Sequence, residues 1–269
     1  ILMGDALFVN RFWYHFAPEC AAGKAAVEAH ADHMKKYDLD FLKIMDDNRY
    51  PRIGLRDGVI SDAGDLERLP VLNGDEDRFG LQIELIEELT RRFRGEFRMI
   101  TTVFNSWTVL RQMVAPESEK HGPPVIGETG DPRDNALSRL LRQAPEALGR
   151  ALNVITESLA GFVRNCLAAG ADGIFFSVRD DWMETLEGGR GMYDRLVRPS
   201  DLKILAAARE GAFNLLHICG RAVDFERFAA YPVHAVNWAD RYAGPSIASV
   251  ADWLSPALCA GLNNLGTLA

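Results

Sequence analysis

His217 and Cys219 stand two residues apart in the run from Phe213 to Gly220, Phe-Asn-Leu-Leu-His-Ile-Cys-Gly. A short apolar run ended by glycine reads as a buried strand feeding a turn. Side chains alternate across a strand, so the imidazole and the thiol face one side at its carboxyl end. Zinc takes both donors readily but needs at least three protein ligands, which makes His217 and Cys219 half a site. A satisfied core histidine beside a buried thiol is the plain alternative. Other polar residues close predicted strands: Arg11 and His15, Asp46 and Asp47, Asn105 and Ser106, Ser177, Asp240, and Asn263 with Asn264. Singly, Asp46 reads as a helix cap, Ser177 as a turn residue and Asn263 as a left-handed strand end. Together on one rim they read as a pocket.

The elements that position them alternate. Strands are predicted at Ala6–Phe12, Asp38–Met45, Arg98–Phe104, Asp172–Val178, around His217, at Ala235–Asp240 and at Ala257–Asn263. Helical spacing fills Ala21–Lys36, Arg78–Arg94, Ala144–Leu167 and Pro199–Glu210 between them. Seven strands alternating with helices predict a single α/β domain over residues 1–269, a (β/α)8 TIM-type barrel lacking its last β/α unit. An amino-terminal helix is also expected to lie outside the sequence. No G-x-G-x-x-G follows the first strand, which disfavours a Rossmann fold. The segments 48–77 and 117–134 are rich in Gly, Pro and charge; the first is expected to lie over the mouth of the pocket. His30 and His33, at i and i+3, read as a solvated helical surface, and Cys259 as core packing.

Composition narrows the partners. The 269 residues are 48% hydrophobic and 25% charged, enough for one large core, and the formal net charge is −8. No basic field is present to hold a nucleic acid or an anionic membrane, so a small-molecule substrate is expected, with a homodimer as the self-association left open. Four scattered cysteines without CxxC spacing argue against a disulfide framework, and no run reaches spanning length; a cytoplasmic protein is expected.

Over essentially its whole length the chain resembles the uroporphyrinogen decarboxylase superfamily, single (β/α)8 barrels that also include zinc-dependent corrinoid and thiol methyltransferases. Arg11, His15, Pro18 and Glu19 match the spacing of a first-strand motif with two arginines, the second replaced here by His15. Asp46, in Lys-Ile-Met-Asp, resembles the catalytic aspartate of the second strand. Ser106-Trp107-Thr108-Val109 looks like the family's Pro-Trp-Thr-Leu, and Phe176-Ser177 its fourth-strand end. The resemblance implies a cofactor-free carboxy-lyase of porphyrin metabolism, acting on a porphyrinogen-like or smaller carboxylated substrate. Asp46, Arg11 and His15 would be catalytic: Asp46 would stabilise a cation formed on substrate protonation and Arg11 would engage a carboxylate. Asn105, Ser106, Trp107, Ser177 and Asn263 would contact substrate. The His217-x-Cys219-Gly220 element looks instead like the methyltransferase branch. There zinc on His217, Cys219 and a later cysteine, or here Asp240, would activate a thiol toward a methyl group on a corrinoid protein. A barrel that only binds a small acid is the third reading.

Overall fold

A computed structural model describes residues 14–115, 132–179, 189–220 and 223–261, together with two short strands near the amino terminus. Those two, β1 (Leu2–Met3) and β2 (Ala6–Leu7), pair antiparallel. The chain then runs through α1 (Gly23–Tyr37) into β3 (Phe41–Ile44), and through α2 (Ala63–Glu67) and α3 (Arg78–Phe93) into β4 (Arg98–Phe104). Next come α4 (Ser106–Met113), α5 (Pro132–Gln143), α6 (Pro145–Ala168) and β5 (Gly173–Arg179). A short α7 (Gly189–Met192), a π-helical turn at Tyr193–Val197 and α8 (Arg198–Ala207) lead to β6 (Leu215–Cys219). The last described elements are β7 (Ala235–Asn237), α9 (Ile247–Val250) and β8 (Ala257–Cys259).

Strands β3 to β8 form one six-stranded parallel sheet in sequence order, each beside its successor. This winding curls the sheet into half a barrel with helices on its convex face. Strand alternation divides the core accordingly. Leu42, Ile44, Met99, Val103, Ile174, Phe176, Leu216 and Val236 join the helices in the large outer cluster. Phe41, Ile100, Phe175, Leu215, Ala235 and Cys259 form a smaller inner layer. Two residues further along each strand come Lys43, Thr102, Ser177, His217 and Asn237, a polar layer above an apolar floor.

Among the described residues the sheet has six parallel strands, where seven were expected. Of the predicted first strand, Ala6–Phe12, the described part, Ala6–Leu7, pairs antiparallel with Leu2–Met3; residues 8–13 lie outside the described residues. The segment 48–77 is also placed differently from expectation. It carries α2, whose Asp62 and Asp65 form a reciprocal capping box, and none of it lines the mouth. Ile60 bridges to Val114, Ser158 Oγ accepts from Leu72 N–H at 2.9 Å, and the loop therefore lies along α4 and α6 on the outside. Gly74 is required there. At φ +92° it sits so close to α6 that a Cβ would come within 2.2 Å of Phe162 N.

Two smaller expectations differ in outcome. None of the four cysteines is in a disulfide, and Cys259 packs in the inner layer as anticipated. His30 and His33 are buried instead of solvated. Tyr14 and Phe16 lie over them, and His30 Nε2 accepts the Met45 N–H at 3.1 Å while Nδ1 meets Ala26 O at 2.7 Å. Within the described residues, no helix is long and apolar enough to cross a membrane.

Candidate active site

A cavity of about 370 Å³ opens above the inner layer at the carboxyl ends of β3 to β6. Lys43 and Met45 contribute from β3 and the residue after it, Thr102 and Phe104 from β4, Phe175 and Ser177 from β5, and His217 from β6. Tyr14 and His15 close it from the amino-terminal segment. Working groups at strand carboxyl ends are what a parallel barrel-type sheet provides, since the loops there leave a concave face.

Lys43 is the only lysine or arginine among the described lining residues. Only 4% exposed, its Nζ lies 4.8 Å from the Tyr14 ring centre, 4.9 Å from that of Phe175 and 3.2 Å from Met45 Sδ. Burial lowers its pKa to about 7, against the opposing pull of the Asp47 charge. The Tyr14 hydroxyl donates to the Lys43 carbonyl, tying the amino-terminal segment to the strand, and burial pushes that phenol well above its ordinary pKa.

His217 stacks on Phe175, ring centres 5.2 Å apart, and its Nδ1 lies 2.6 Å from Asn237 Oδ1. The Asn237 Nδ2 donates to Cys259 O at 2.6 Å, which leaves its Oδ1 as acceptor. Hydrogen bonding therefore assigns the proton to His217 Nδ1 and a lone pair to Nε2. Burial lowers the His217 pKa to about 4, so the ring is neutral near pH 7. At the rim, His15 Nδ1 lies 2.7 Å from Asp47 Oδ1. Burial pushes the Asp47 carboxyl up, but the His15 hydrogen bond and charge and the Phe16 N–H outweigh it and hold the carboxyl below its usual range.

The structure thus brings His15, Ser177 and His217 around one cavity and moves several other sequence candidates away from it. Asp46, expected to face the cavity, is one position past Met45 and turns outward. Its Oδ1 accepts the Asn48 and Arg49 N–H groups, both at 3.1 Å, fixing the turn after β3. Asp47, expected to point away, is the carboxylate on the cavity side. Asn105 caps α4 through Thr108 N–H and donates to Asp201 at 3.1 Å; Ser106 bonds Thr156 at 2.8 Å. With Trp107, fully buried, both lie behind the sheet and cannot contact a ligand in front of it. Arg11, Asn263 and Asn264 lie outside the described residues.

The same geometry bears on the zinc set. His217 and Cys219 share the inner face of β6, in register with Ser177 and Arg179. An imidazole whose Nδ1–H is held by a carbonyl oxygen is in the form that ligates through Nε2. Asp240 does not join them. Its Oδ1 accepts from Gly261 N–H at 2.8 Å and its Oδ2 lies 3.4 Å from Arg241 Nε. No group of three His, Cys, Asp or Glu side chains placed to hold a metal occurs among the described residues, so this trio does not fit zinc.

Lys43, Thr102 and Tyr14 were missed in the sequence. The signal was there for Lys43: a lysine inside Phe-Leu-Lys-Ile-Met, an otherwise apolar run predicted as a buried strand.

Comparison with known proteins gives the family. The family model described as uroporphyrinogen decarboxylase (URO-D) matches residues 42–243, well over half of the chain, and the chain belongs to that family. A curated relative, the uroporphyrinogen decarboxylase of Syntrophotalea carbinolica, is 27% identical over 179 residues, 65% of this chain and 47% of the relative. The chain therefore spans about half the length of that relative. Among solved structures, a methyltransferase from Methanosarcina mazei superposes with a TM-score of 0.61 at 14% identity, covering 83% of this chain and 65% of that one. This likeness shows a shared fold.

Proposed function

We propose that this protein is a carboxy-lyase that removes carbon dioxide from a small carboxylated substrate without a cofactor. The observation that carries this reading is the buried amine of Lys43 in the wall of the cavity. Loss of carbon dioxide leaves an electron pair on carbon, and a preorganised positive charge beside that carbon lowers the barrier most where water is excluded. Lys43 supplies the charge between two aromatic rings. His15, held by Asp47, is the candidate for delivering the proton that replaces carbon dioxide. Arg11 remains the sequence-based candidate for a second carboxylate contact. A volume of about 370 Å³ lies near the lower end of the ~300–1,000 Å³ range of ligand pockets, which favours a substrate smaller than a porphyrinogen. This reading takes the six-stranded arc as part of a (β/α)8 barrel.

A second reading, zinc-dependent methyl transfer from a corrinoid protein to a thiol, is favoured by the tautomer of His217 and its shared face with Cys219. The misfit of Asp240 places it behind. One experiment separates the readings. The purified protein is offered small oxo and aromatic acids, then uroporphyrinogen, with carbon dioxide release measured alongside metal content. Release that survives a chelator supports decarboxylation. About one zinc per chain with methyl transfer from methylcobalamin to a thiol supports the second reading, and tight binding without turnover supports a binding barrel.

A further inference from the structure

We propose that Lys43 bonds covalently to its substrate, forming an imine with a ketone, and that the substrate class is therefore the small 3-oxo acids. This rests on the carboxy-lyase reading and goes beyond it by naming the electron sink.

Three observations meet at one atom. Lys43 is carried by the sheet, on the inner face of β3, so its amine is anchored on a buried strand rather than on a loop. Its surroundings include the faces of Tyr14 and Phe175 and the Met45 thioether, an apolar setting that favours the neutral amine. Groups able to move protons line the same cavity: the Ser177 hydroxyl and the neutral His217 ring with its lone pair on Nε2.

The lowered pKa, about 7, adds that a substantial share of the amine is neutral near pH 7, as a nucleophile must be.

The chemistry balances without an oxidant or cofactor. The amine lone pair attacks the ketone carbon, the carbonyl π pair moves to oxygen, and a proton passes from nitrogen to that oxygen. Water then leaves with a second proton, giving a cationic iminium. The carboxylate carbon lies two bonds from the iminium carbon. As the bond to it breaks, the pair flows into the C–N unit, carbon dioxide departs and an enamine remains. A proton adds to the enamine carbon, water adds to the regenerated iminium, and the ketone leaves with the amine restored. The net change is one oxo acid anion and one proton converted to one ketone and one carbon dioxide.

The test is reductive trapping. The full chain is incubated with acetoacetate and, separately, with its non-carboxylated counterpart acetone, in the presence of cyanoborohydride, and the adduct is located by peptide mass spectrometry. The expected result is a stable secondary amine on Lys43 at reagent levels that leave the surface lysines Lys24, Lys35 and Lys203 unlabelled. Lys43→Arg, which keeps the charge but forms no imine, is expected to lose both adduct and turnover. Because the wild-type protein locates the adduct by itself, a variant that fails to fold does not block the test. Labelling that spares Lys43 while other lysines react, or a Lys43→Arg protein that still releases carbon dioxide, overturns the imine and leaves the carboxy-lyase reading standing. An adduct on Lys43 with no carbon dioxide released from any oxo acid keeps the imine and overturns that reading.

Discussion

At the scale of single residues, two buried ionisable groups on β3 and its turn make opposite demands on pH. Lys43 has a folded pKa of about 7 against an ordinary 10.5, so below about pH 7 the amine is protonated in both states and the cost of burying its charge is fully present. As pH rises from about 7 toward 10.5 the folded state sheds the proton first, the unfolded state binds more protons, and stability rises. Lys43→Met should therefore be more stable than wild type by on the order of a few kcal/mol at pH 6 to 7, a margin that shrinks toward pH 10, while turnover is abolished. Urea titrations across that range check the sign. Asp46 is the converse case, raised by burial to about 7 from 3.8 despite two backbone donors. Its penalty grows as pH rises between those values, so Asp46→Asn should gain on wild type from pH 4 to pH 7. Its Oδ1 still accepts both N–H groups, and turnover should stay within about threefold. Asp47→Asn, which removes the charge beside His15, should lower turnover by roughly tenfold or more. Steady-state kinetics on the two variants would invert this assignment if Asp46→Asn were the damaged enzyme.

At the scale of elements, the junction of β4 and α4 is a joint of the scaffold rather than a substrate contact. Asn105 caps α4 and is one of three donors to the buried Asp201, the others being the Tyr193 and Tyr231 hydroxyls. Removing it leaves one helix N–H and one carboxylate oxygen short of a partner in the core. Asn105→Ala should cost about 1 kcal/mol for the cap and roughly 1–3 kcal/mol for the unsatisfied carboxylate, and leave KM unchanged. A lowered Tm with a raised KM would return Asn105 to the substrate site. The loop of residues 48–77 gives a parallel case. Gly74→Ala combines a positive φ with a backbone collision against α6, so it should destabilise by more than the ~1 kcal/mol typical of an unfavourable glycine replacement. Because that loop lies outside the sheet, kcat of the folded fraction should be unaffected.

At the scale of the whole molecule, six parallel strands in sequence order give a concave face with a dry floor and a polar layer, and the Asp240 geometry bears on what occupies it. A zinc ion bound to the native state alone would raise stability by RT ln(1 + [Zn]/Kd), so dialysis against a chelator would lower Tm markedly if one were held. With Asp240 committed to Gly261 and Arg241, chelation should leave Tm unchanged. Much of this architecture was legible beforehand. Helical spacing located α1, α3, α6 and α8 to within about two residues at their starts, and apolar runs located the six parallel strands, since both signals come from local periodicity. The pairing of His217 with Cys219 on one face was also legible, because i and i+2 on a strand cannot diverge. The inward parity of the other strand-end residues was not. A strand buried on both faces is apolar at every position, so its sequence does not say which residues point in. The hydrogen-bonded register of neighbouring strands decides it, and a shift of one residue exchanges the faces. That single step turned Asp46 and Asn105 into the scaffold and Lys43 and Ser177 into the cavity. Residues far apart in sequence, Tyr14, Lys43, Phe175 and His217, became neighbours only when six strands were laid side by side.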